Sequence, residues 1–474
     1  VNIDALEAAF YDAERRVLEI QAKLHRWAVD DPHRRFDDLY NLIADPAFLL
    51  VAWFRVRSNK GARTAGVDGM IAHAVRLWQQ DSLLLEQLRV ELKTREFRPM
   101  PVRPVAIPKA KGKVRRLGIP TVRDRVVQAV LKLVLEPIFE ADFRPCSYGF
   151  RPNRRAQDAV TETWHLASNS YEWIVEGDIE ACFDRIDHTA LMDRVRRRIA
   201  DKRVLLVVKA FLKAGILAQD GQIWGGNTGT PQGGILSPLL ANVALSVLDE
   251  HFDQYTISTV ERAKRRRHGL ANYRLVRYAD DFVIMVSGTR AQADELLPEV
   301  AAVLGPMGLR LSAEKTMVTH IDEGLDFLGW RIQRHRKRGT VARYVYTYPS
   351  KKALRAIMAK VKAVCMQNVN DSLADLLRRL NPMLRGWTAY FRPGVSNATF
   401  EYLRSYVWHR VMRWIRKKHR RINWKNLRRR YCTVSNDRWW PADGGTILFD
   451  PASVSTTRYR YRGTKIPSPW PSRG

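Results

Sequence analysis

Apolar residues recur at helical spacing in residues 5–28, where Leu6, Phe10, Ala13, Val17, Ile20, Leu24 and Trp27 share one face. This stripe predicts an amphipathic packing helix. Asn59, Gly61, Gly66 and Gly69 then mark a loop. The period changes at residues 102–119, which read as two short strands around a basic turn at 109–113. Residues 121–140 return to a helical pattern through Val126, Val127, Val130, Leu133 and Val134, with Pro137 near the end. Residues 171–179 are strand-like and end at acidic positions, and 188–214 are helical. Residues 272–287 read as strand, tight turn and strand, with Ala279, Asp280 and Asp281 at the turn. Mixed elements of this kind predict an α+β region up to about residue 335.

Beyond it the pattern is helical. Leu354, Ile357, Met358, Val361 and Cys365 form one stripe. Leu373, Leu376, Leu377 and Leu380 form another, started by Asp371 or Ser372 and expected to stop before Pro382. A third helix is expected over 401–421. Leu403, Val407, Val411, Trp414 and Ile415 face inward, while Arg404, Arg410, Arg413, Arg416, Lys417, Lys418 and Arg420 face out. The tail beyond Cys432 is rich in Arg, Tyr, Trp and Pro and reads as a loop-rich appendage. Trp387, Tyr390, Trp408 and Trp414 read mainly as core.

Charge narrows the function. The 474 residues carry 80 Lys plus Arg against 49 Asp plus Glu, a net charge of +31. Such a field attracts polyanions, nucleic acid first and an anionic membrane surface second. No long uncharged apolar run predicts a membrane span, and no signal-peptide pattern is visible. The initial Val points to a processed or trimmed start. Cys146, Cys182, Cys365 and Cys432 are scattered without a CxxC pair, which argues against a disulfide framework or a zinc site and fits a reducing compartment.

Candidate chemistry lies at two strand ends. Nucleotidyl transfer to a primer end uses two divalent ions, and Mg²⁺ takes hard oxygen ligands, often a few carboxylates plus substrate phosphates. Asp178 ends one strand and Asp280–Asp281 occupy a hairpin turn, so folding has to bring them together. An Asp pair in a turn is by itself common; the YADD tetrad between apolar strands, the upstream Asp178 and the basic charge together are specific.

The YADD segment at 278–281 resembles the YxDD signature of reverse transcriptases. Further blocks are similar, in order, to group II intron reverse transcriptase–maturases: VDG at 67–69, IPKAKGKVRRLGIPTVRDRVVQ at 107–128, SYGFRPNRRAQDAV at 147–160, EGDIEACFDRIDH at 176–188, GTPQGGILSPLLANVAL at 229–245 and LDFLGW at 325–330. RLNPMLRGWTAYFR at 379–392 resembles the maturase, or X, domain, and RYRYRGTKIPSPWP at 458–471 is similar to tails in this family. The resemblance implies a right-hand polymerase with an all-helical thumb/maturase domain and a short basic C-terminal tail. Its expected segments are an N-terminal helical extension (1–70), fingers and palm (71–335), thumb and maturase domain (336–430) and a DNA-binding tail (431–474).

The resemblance also implies residue roles. Asp178, Asp280 and Asp281 would be the catalytic carboxylates, with Asp178 and Asp280 the more direct metal ligands and the Ile179 carbonyl completing one shell. Phe183 would be a steric gate against a ribose 2′-OH, with a core role as the competing reading. Lys109 and Arg115, or Arg116 in its place, would grip the triphosphate, and Gln232 would line the nucleotide pocket. Gly233 and Gly234 would permit close backbone approach to substrate. Gly149, Phe150 and Arg151 would have structural and template-path roles. Leu328, Gly329 and Trp330 resemble the primer grip, with packing an equal reading for Trp330.

Arg413, Arg416, Lys417, Lys418, Arg420 and Arg421 would bind intron RNA, with Arg428 and Arg429 as further candidates. The implied cofactor is a pair of Mg²⁺ ions, with Mn²⁺ as substitute. The implied partners are group II intron RNA, an RNA template with DNA primer, target DNA and dNTPs, and no membrane. The implied setting is the bacterial cytoplasm, with nucleoid association during mobility. No HNH endonuclease pattern follows Cys432, so primers would come from replication forks or from reverse splicing into single-stranded DNA. Rival readings are a splicing-only maturase and a domesticated reverse transcriptase of phage defence or a CRISPR system.

Overall fold

The stripe of residues 5–28 folds as the helix Ile3–Asp30, burying Val17, Leu24 and Ala28. In this computed structural model the described residues are 3–77, 80–108, 114–217, 223–224, 226–230, 233–367, 370–435, 438–463 and 465–470. Two compact units emerge: residues 1–155, 175–317 and 464–474 form one, and residues 156–174 and 318–463 the other.

In the first unit, Ile3–Asp30 packs against Pro46–Ser58 and Val122–Glu140. Val122–Glu140 is apolar on most faces and correspondingly buried; its start is set by Thr121, whose hydroxyl accepts from Asp124 N at 3.2 Å. Pro137 falls inside its last turn. The basic hairpin pairs Arg103–Pro108 with Val114–Ile119, Pro108 opposite Val114. The span 188–214, read as helical, holds two helices, His188–Arg196 and Lys202–Lys213. Asp201 makes the break. Its carboxylate caps the second helix through Arg203 N (3.0 Å) and also accepts from Leu39 N (3.0 Å) and Tyr40 N (2.9 Å). Asn272–Tyr278 and Asp281–Ser287 form the expected antiparallel hairpin, and Asp281–Ser287 lies between its hairpin partner and Trp173–Asp178. The helix Ser237–Asp253 packs against Asn272–Tyr278.

The second unit takes in the helix Ala156–Ala167 and a three-stranded antiparallel sheet. Trp330–Arg336 lies between Leu325–Phe327 and the edge strand Arg343–Pro349. Four helices follow, Lys351–Gln367, Leu373–Phe391, Asn397–Lys418 and Trp424–Tyr431. Ile357, Val361, Leu376, Leu380, Leu403, Val407 and Val411 make their shared core.

Two expectations need correction here. Leu373–Phe391 starts at Ser372, as one reading had it, but continues through Pro382 instead of stopping before it. Proline inside a helix costs about 3 kcal/mol. Leu380 and Leu384, fully buried on either side of Pro382, gain about 1.5–3 kcal/mol each from burial, enough to keep the helix whole. The tail is also more regular than a loop-rich reading allows. Cys432–Ser435, Arg438–Asp443 and Thr446–Ile447 form a small antiparallel sheet. Its Trp440, with Leu448 just beyond, joins the helical core. Asn381 clamps it, donating from Nδ2 to Ile447 O and accepting at Oδ1 from Phe449 N, both at 2.8 Å.

Asn381→Ala removes both clamps and leaves a partly buried N–H and C=O without partners, a loss of about 1–3 kcal/mol. Limited proteolysis is expected to cut faster within residues 443–453 of this variant. An unchanged cleavage rate there would contradict the clamp.

Candidate active site

The hairpin turn is built on a buried guanidinium. Arg277, one residue before Tyr278, is fully buried within the strand. Its Nε donates to Asp249 Oδ1 at 2.7 Å, and its Nη2 also bonds Asp249, making a fork against that carboxylate. Nη2 further donates to Ser147 Oγ (2.8 Å), and Nη1 to Asn242 Oδ1 (2.9 Å) and Ala279 O (3.0 Å). Asn242 in turn donates to Gly149 O at 2.8 Å. The backbone of Arg277 bonds Cys146 O and Tyr148 N, each at 2.8 Å. One side chain thus ties the hairpin to the SYGFR segment and to the helix Ser237–Asp253.

The turn itself is strained. Tyr278 pairs with Asp281, leaving a two-residue connection in which Ala279 has φ 59°. Left-handed backbone is costly for alanine, and the surroundings have to hold it. Gly149 does so by close approach: a Cβ there would collide with the Ala279 backbone. Gly177 has a similar role one residue before Asp178, since a Cβ there would enter the Phe282 ring. The two glycines therefore set how closely the acidic strand ends approach their neighbours.

Asp178 ends its strand and Asp281 begins the adjacent one, with Gly177 against Phe282 keeping them level. Asp178 Oδ2 accepts from Lys315 Nζ at 2.7 Å. That hydrogen bond, with the charges of Asp178 and Asp281, holds the Lys315 ammonium above its ordinary range. The side chains are 60% and 30% exposed. A pair so open to water is worth under about 1 kcal/mol, so Lys315 neutralises Asp178 without locking it. Asp280 lies toward Cys182, whose thiol is pushed up to about 12 by burial and then by the Asp280 charge. Among the described residues, no three acidic, His or Cys side chains converge into one metal-holding group. The donor set nevertheless has the chemistry Mg²⁺ takes, three carboxylates and a backbone carbonyl. Ile179 bridges Leu311 through Glu180 N–Arg310 O (2.9 Å) and Ser312 N–Asp178 O (2.8 Å), so its own carbonyl stands outside that bridge.

The segment leading to the PQGG block is hung on the chain after Asp178. Thr230 N donates to Phe183 O at 2.6 Å, Gly229 N to Ile186 O at 2.8 Å and His188 N to Asn227 O at 3.0 Å. Phe183 lies on the one-turn helix Cys182–Arg185 and is 8% exposed. Gly233 has φ 115°, and a Cβ there would lie 2.9 Å from Gly118 O. The close approach it permits is to the second strand of the basic hairpin. Arg115 pairs with Ile107 in that hairpin. Lys109 and Gln232 lie outside the described residues. Arg151 is buried against Glu140, Nη2 to Oε1 at 2.7 Å, while Phe150 is half exposed at φ 57°. Trp330 is buried against Phe391, ring centroids 4.8 Å apart.

On the helix Asn397–Lys418 and just past it, Arg413, Arg416, Lys417, Arg420 and Arg421 are exposed. Arg416 lies over Trp424, 5.0 Å from its ring centre. Lys418 instead donates to Asn370 O at 3.2 Å and bonds Asp371 O. All four cysteines are free thiols. Among the described residues no helix is long and apolar enough to cross a membrane.

Sequence reading missed Arg277, Asp249 and Lys315. The first two had a signal, charged residues on otherwise apolar buried elements. Lys315 had none, being 137 positions from Asp178.

Known proteins give the same class. Residues 107–332 match the family "Reverse transcriptase (RNA-dependent DNA polymerase)", and residues 354–432 match "Group II intron, maturase-specific domain". The chain belongs to the reverse transcriptase family of group II intron-encoded proteins. Protein YkfC of Escherichia coli (strain K12) is 38% identical over 374 residues, covering 73% of this chain and 97% of YkfC. Group II intron-encoded protein LtrA of Lactococcus lactis subsp. cremoris is 32% identical over 362 residues, covering 65% of this chain and 58% of LtrA. The putative COX1/OXI3 intron 1 protein of Saccharomyces cerevisiae is 29% identical over 339 residues, covering 62% of this chain and 39% of that protein. The chain thus spans nearly all of YkfC and a little over half of LtrA.

Asp249→Asn leaves the buried Arg277 charge uncompensated, at a cost of about 3–5 kcal/mol. Its urea unfolding is expected to shift to clearly lower concentration. A loss below about 1 kcal/mol would show that the pair does not hold the hairpin.

Proposed function

We propose that this protein adds dNTPs to a primer 3′-OH on an RNA template, releasing pyrophosphate. The observation that carries the reading is the placement of Asp178 and of the Asp280–Asp281 turn at one end of neighbouring strands. Asp178, Asp280, Asp281 and the Ile179 carbonyl would hold two Mg²⁺ ions, or Mn²⁺, which when bound favour the ionised primer hydroxyl and neutralise the leaving phosphates. Lys315 keeps Asp178 compensated until then. Phe183 would wall the sugar pocket against a 2′-OH, and Lys109, Arg115 and Gln232 would hold the incoming nucleotide. The close approach of Gly233 to Gly118 supports a pocket in which the residues around Gly233 and the basic hairpin act together.

The same reading gives the protein a second activity, binding its group II intron RNA to promote splicing and mobility at a DNA target. The maturase-specific match over 354–432 and the exposed Arg413, Arg416, Lys417, Arg420 and Arg421 support it. Lys418 contributes less directly, being turned to backbone carbonyls. Four free thiols suit a reducing cytoplasm, with access to chromosomal DNA during mobility.

Primer extension tests the polymerase assignment. With a DNA primer on an RNA template, dNTPs and Mg²⁺, the protein is expected to extend the primer. Asp280→Ala is expected to fall to background, as is the wild type after chelation of the metal. Equal extension by wild type and variant would remove the carboxylates from the mechanism. Absence of extension by folded protein that still binds intron RNA would favour a splicing-only maturase.

A further inference from the structure

The edge strand Arg343–Pro349 is not open along its outer side. Trp164 Nε1 donates to Val345 O at 2.9 Å, and Val395 N donates to Thr347 O at 2.7 Å. Both carbonyls are ones that an added strand would need, so the edge is capped against β-pairing. Beside it, within the same unit, the helix Ala156–Ala167 and tail residues 458–461 close a cleft of about 690 Å³.

The tail is firmly seated there. Tyr459 OH and Arg462 Nε bond Asp158 at 3.0 and 2.8 Å, Tyr461 OH donates to Glu162 at 2.8 Å, and the Tyr461 ring stacks on His165 at 4.3 Å. The nearby carboxylates are therefore engaged by the tail's own donors. The cleft is lined by Tyr344 and Tyr346, which share one strand face, by Tyr461, and by Lys337 and Arg458. Tyr344 is 52% exposed and Tyr461 39%.

Aromatic faces flanked by cations suit a ligand with flat faces and a polyanionic backbone. A duplex hides its base faces, whereas a single strand presents them. We infer that this cleft binds single-stranded nucleic acid, with bases stacked on Tyr344, Tyr346 and Tyr461 and phosphates held by Lys337 and Arg458. Base faces and phosphates are common to DNA and RNA, so both are ligands by this chemistry. The cleft shares no residue with the Asp178 and Asp280–Asp281 strand ends, and the inference does not depend on the polymerase assignment.

Photocrosslinking reads it directly. The full chain is irradiated with oligo-dU carrying 5-iodouracil and with oligo-U carrying 4-thiouracil, and adducts are mapped by mass spectrometry. Adducts are expected on Tyr344, Tyr346 or Tyr461. Combined Tyr344→Ala and Tyr461→Ala is expected to lower oligonucleotide affinity at the cleft, and the adduct yield with it, about tenfold or more. Combined Tyr344→Phe and Tyr461→Phe keeps both rings and is expected to keep the yield. Adducts from only one of the two sugars would establish the cleft and assign its source. Adducts confined to other parts of the chain would overturn the proposal, as would an unchanged yield in a folded double-alanine variant. Protection of the cleft tyrosines by a proline-rich peptide, without oligonucleotide adducts, would overturn it in favour of peptide docking.

Discussion

The candidate active site depends on the buried pair of Arg277 and Asp249. Taking two such charges out of water costs several kcal/mol each, and an apolar pair of similar size would often be as stable. What an apolar pair could not do is reach three separate segments. The Arg277 fork grips Asp249 and, with Asn242, fixes the helix Ser237–Asp253. Through Ser147 it fixes the segment before Gly149, and through the Ala279 carbonyl it fixes the strained turn. Without that interaction, the left-handed Ala279 and the contact of Gly149 on the turn would be left to the Asn242–Gly149 bond and the backbone bonds of Arg277 to Cys146 and Tyr148.

From this anchor the chemistry becomes local. Gly177 admits Phe282 and keeps Asp178 beside Asp281, and Lys315 supplies a weak, exposed counter-charge. The chain after Asp178 then carries residues 227–230, which lead to the PQGG block, through hydrogen bonds to Phe183, Ile186 and His188. The second unit is organised on different terms. Its stability rests on an aliphatic and aromatic core, completed by the small tail sheet that Asn381 clamps. Its charge is kept on the outside, where it can meet phosphate.

Much of this was legible in the sequence, for a physical reason. The helix Ile3–Asp30, the hairpin around Asp280 and the stripes from Lys351 onward are each set by apolar periodicity, and periodicity is local. The misreadings arose where a tertiary contact outweighed a local rule. Pro382 reads as a stop, but the buried leucines around it carry the helix on. The break at Asp201 within the helical span 188–214 had no local marker, because its carboxylate serves Leu39 and Tyr40, far off in the chain, as well as the helix start at Arg203. The tail sheet was hidden because its strands are short and gain their stability from Trp440 and Leu448 on the helical core. The Asp178–Lys315 pair is a product of the fold alone, with no local pattern to announce it.

In the proposed reading, the turn anchored by Arg277 and the contact of Gly177 with Phe282 would bring Asp178, Ile179 and the Asp280–Asp281 pair to one divalent-metal site. Iron(II)-directed backbone cleavage tests it most directly, because radicals formed at a bound ion cut the chain nearby. Fe²⁺-dependent scission is expected near residues 178–179 and 280–281, suppressed by excess Mg²⁺ and lost in Asp280→Ala. Scission elsewhere, or an unchanged pattern in that variant, would contradict it.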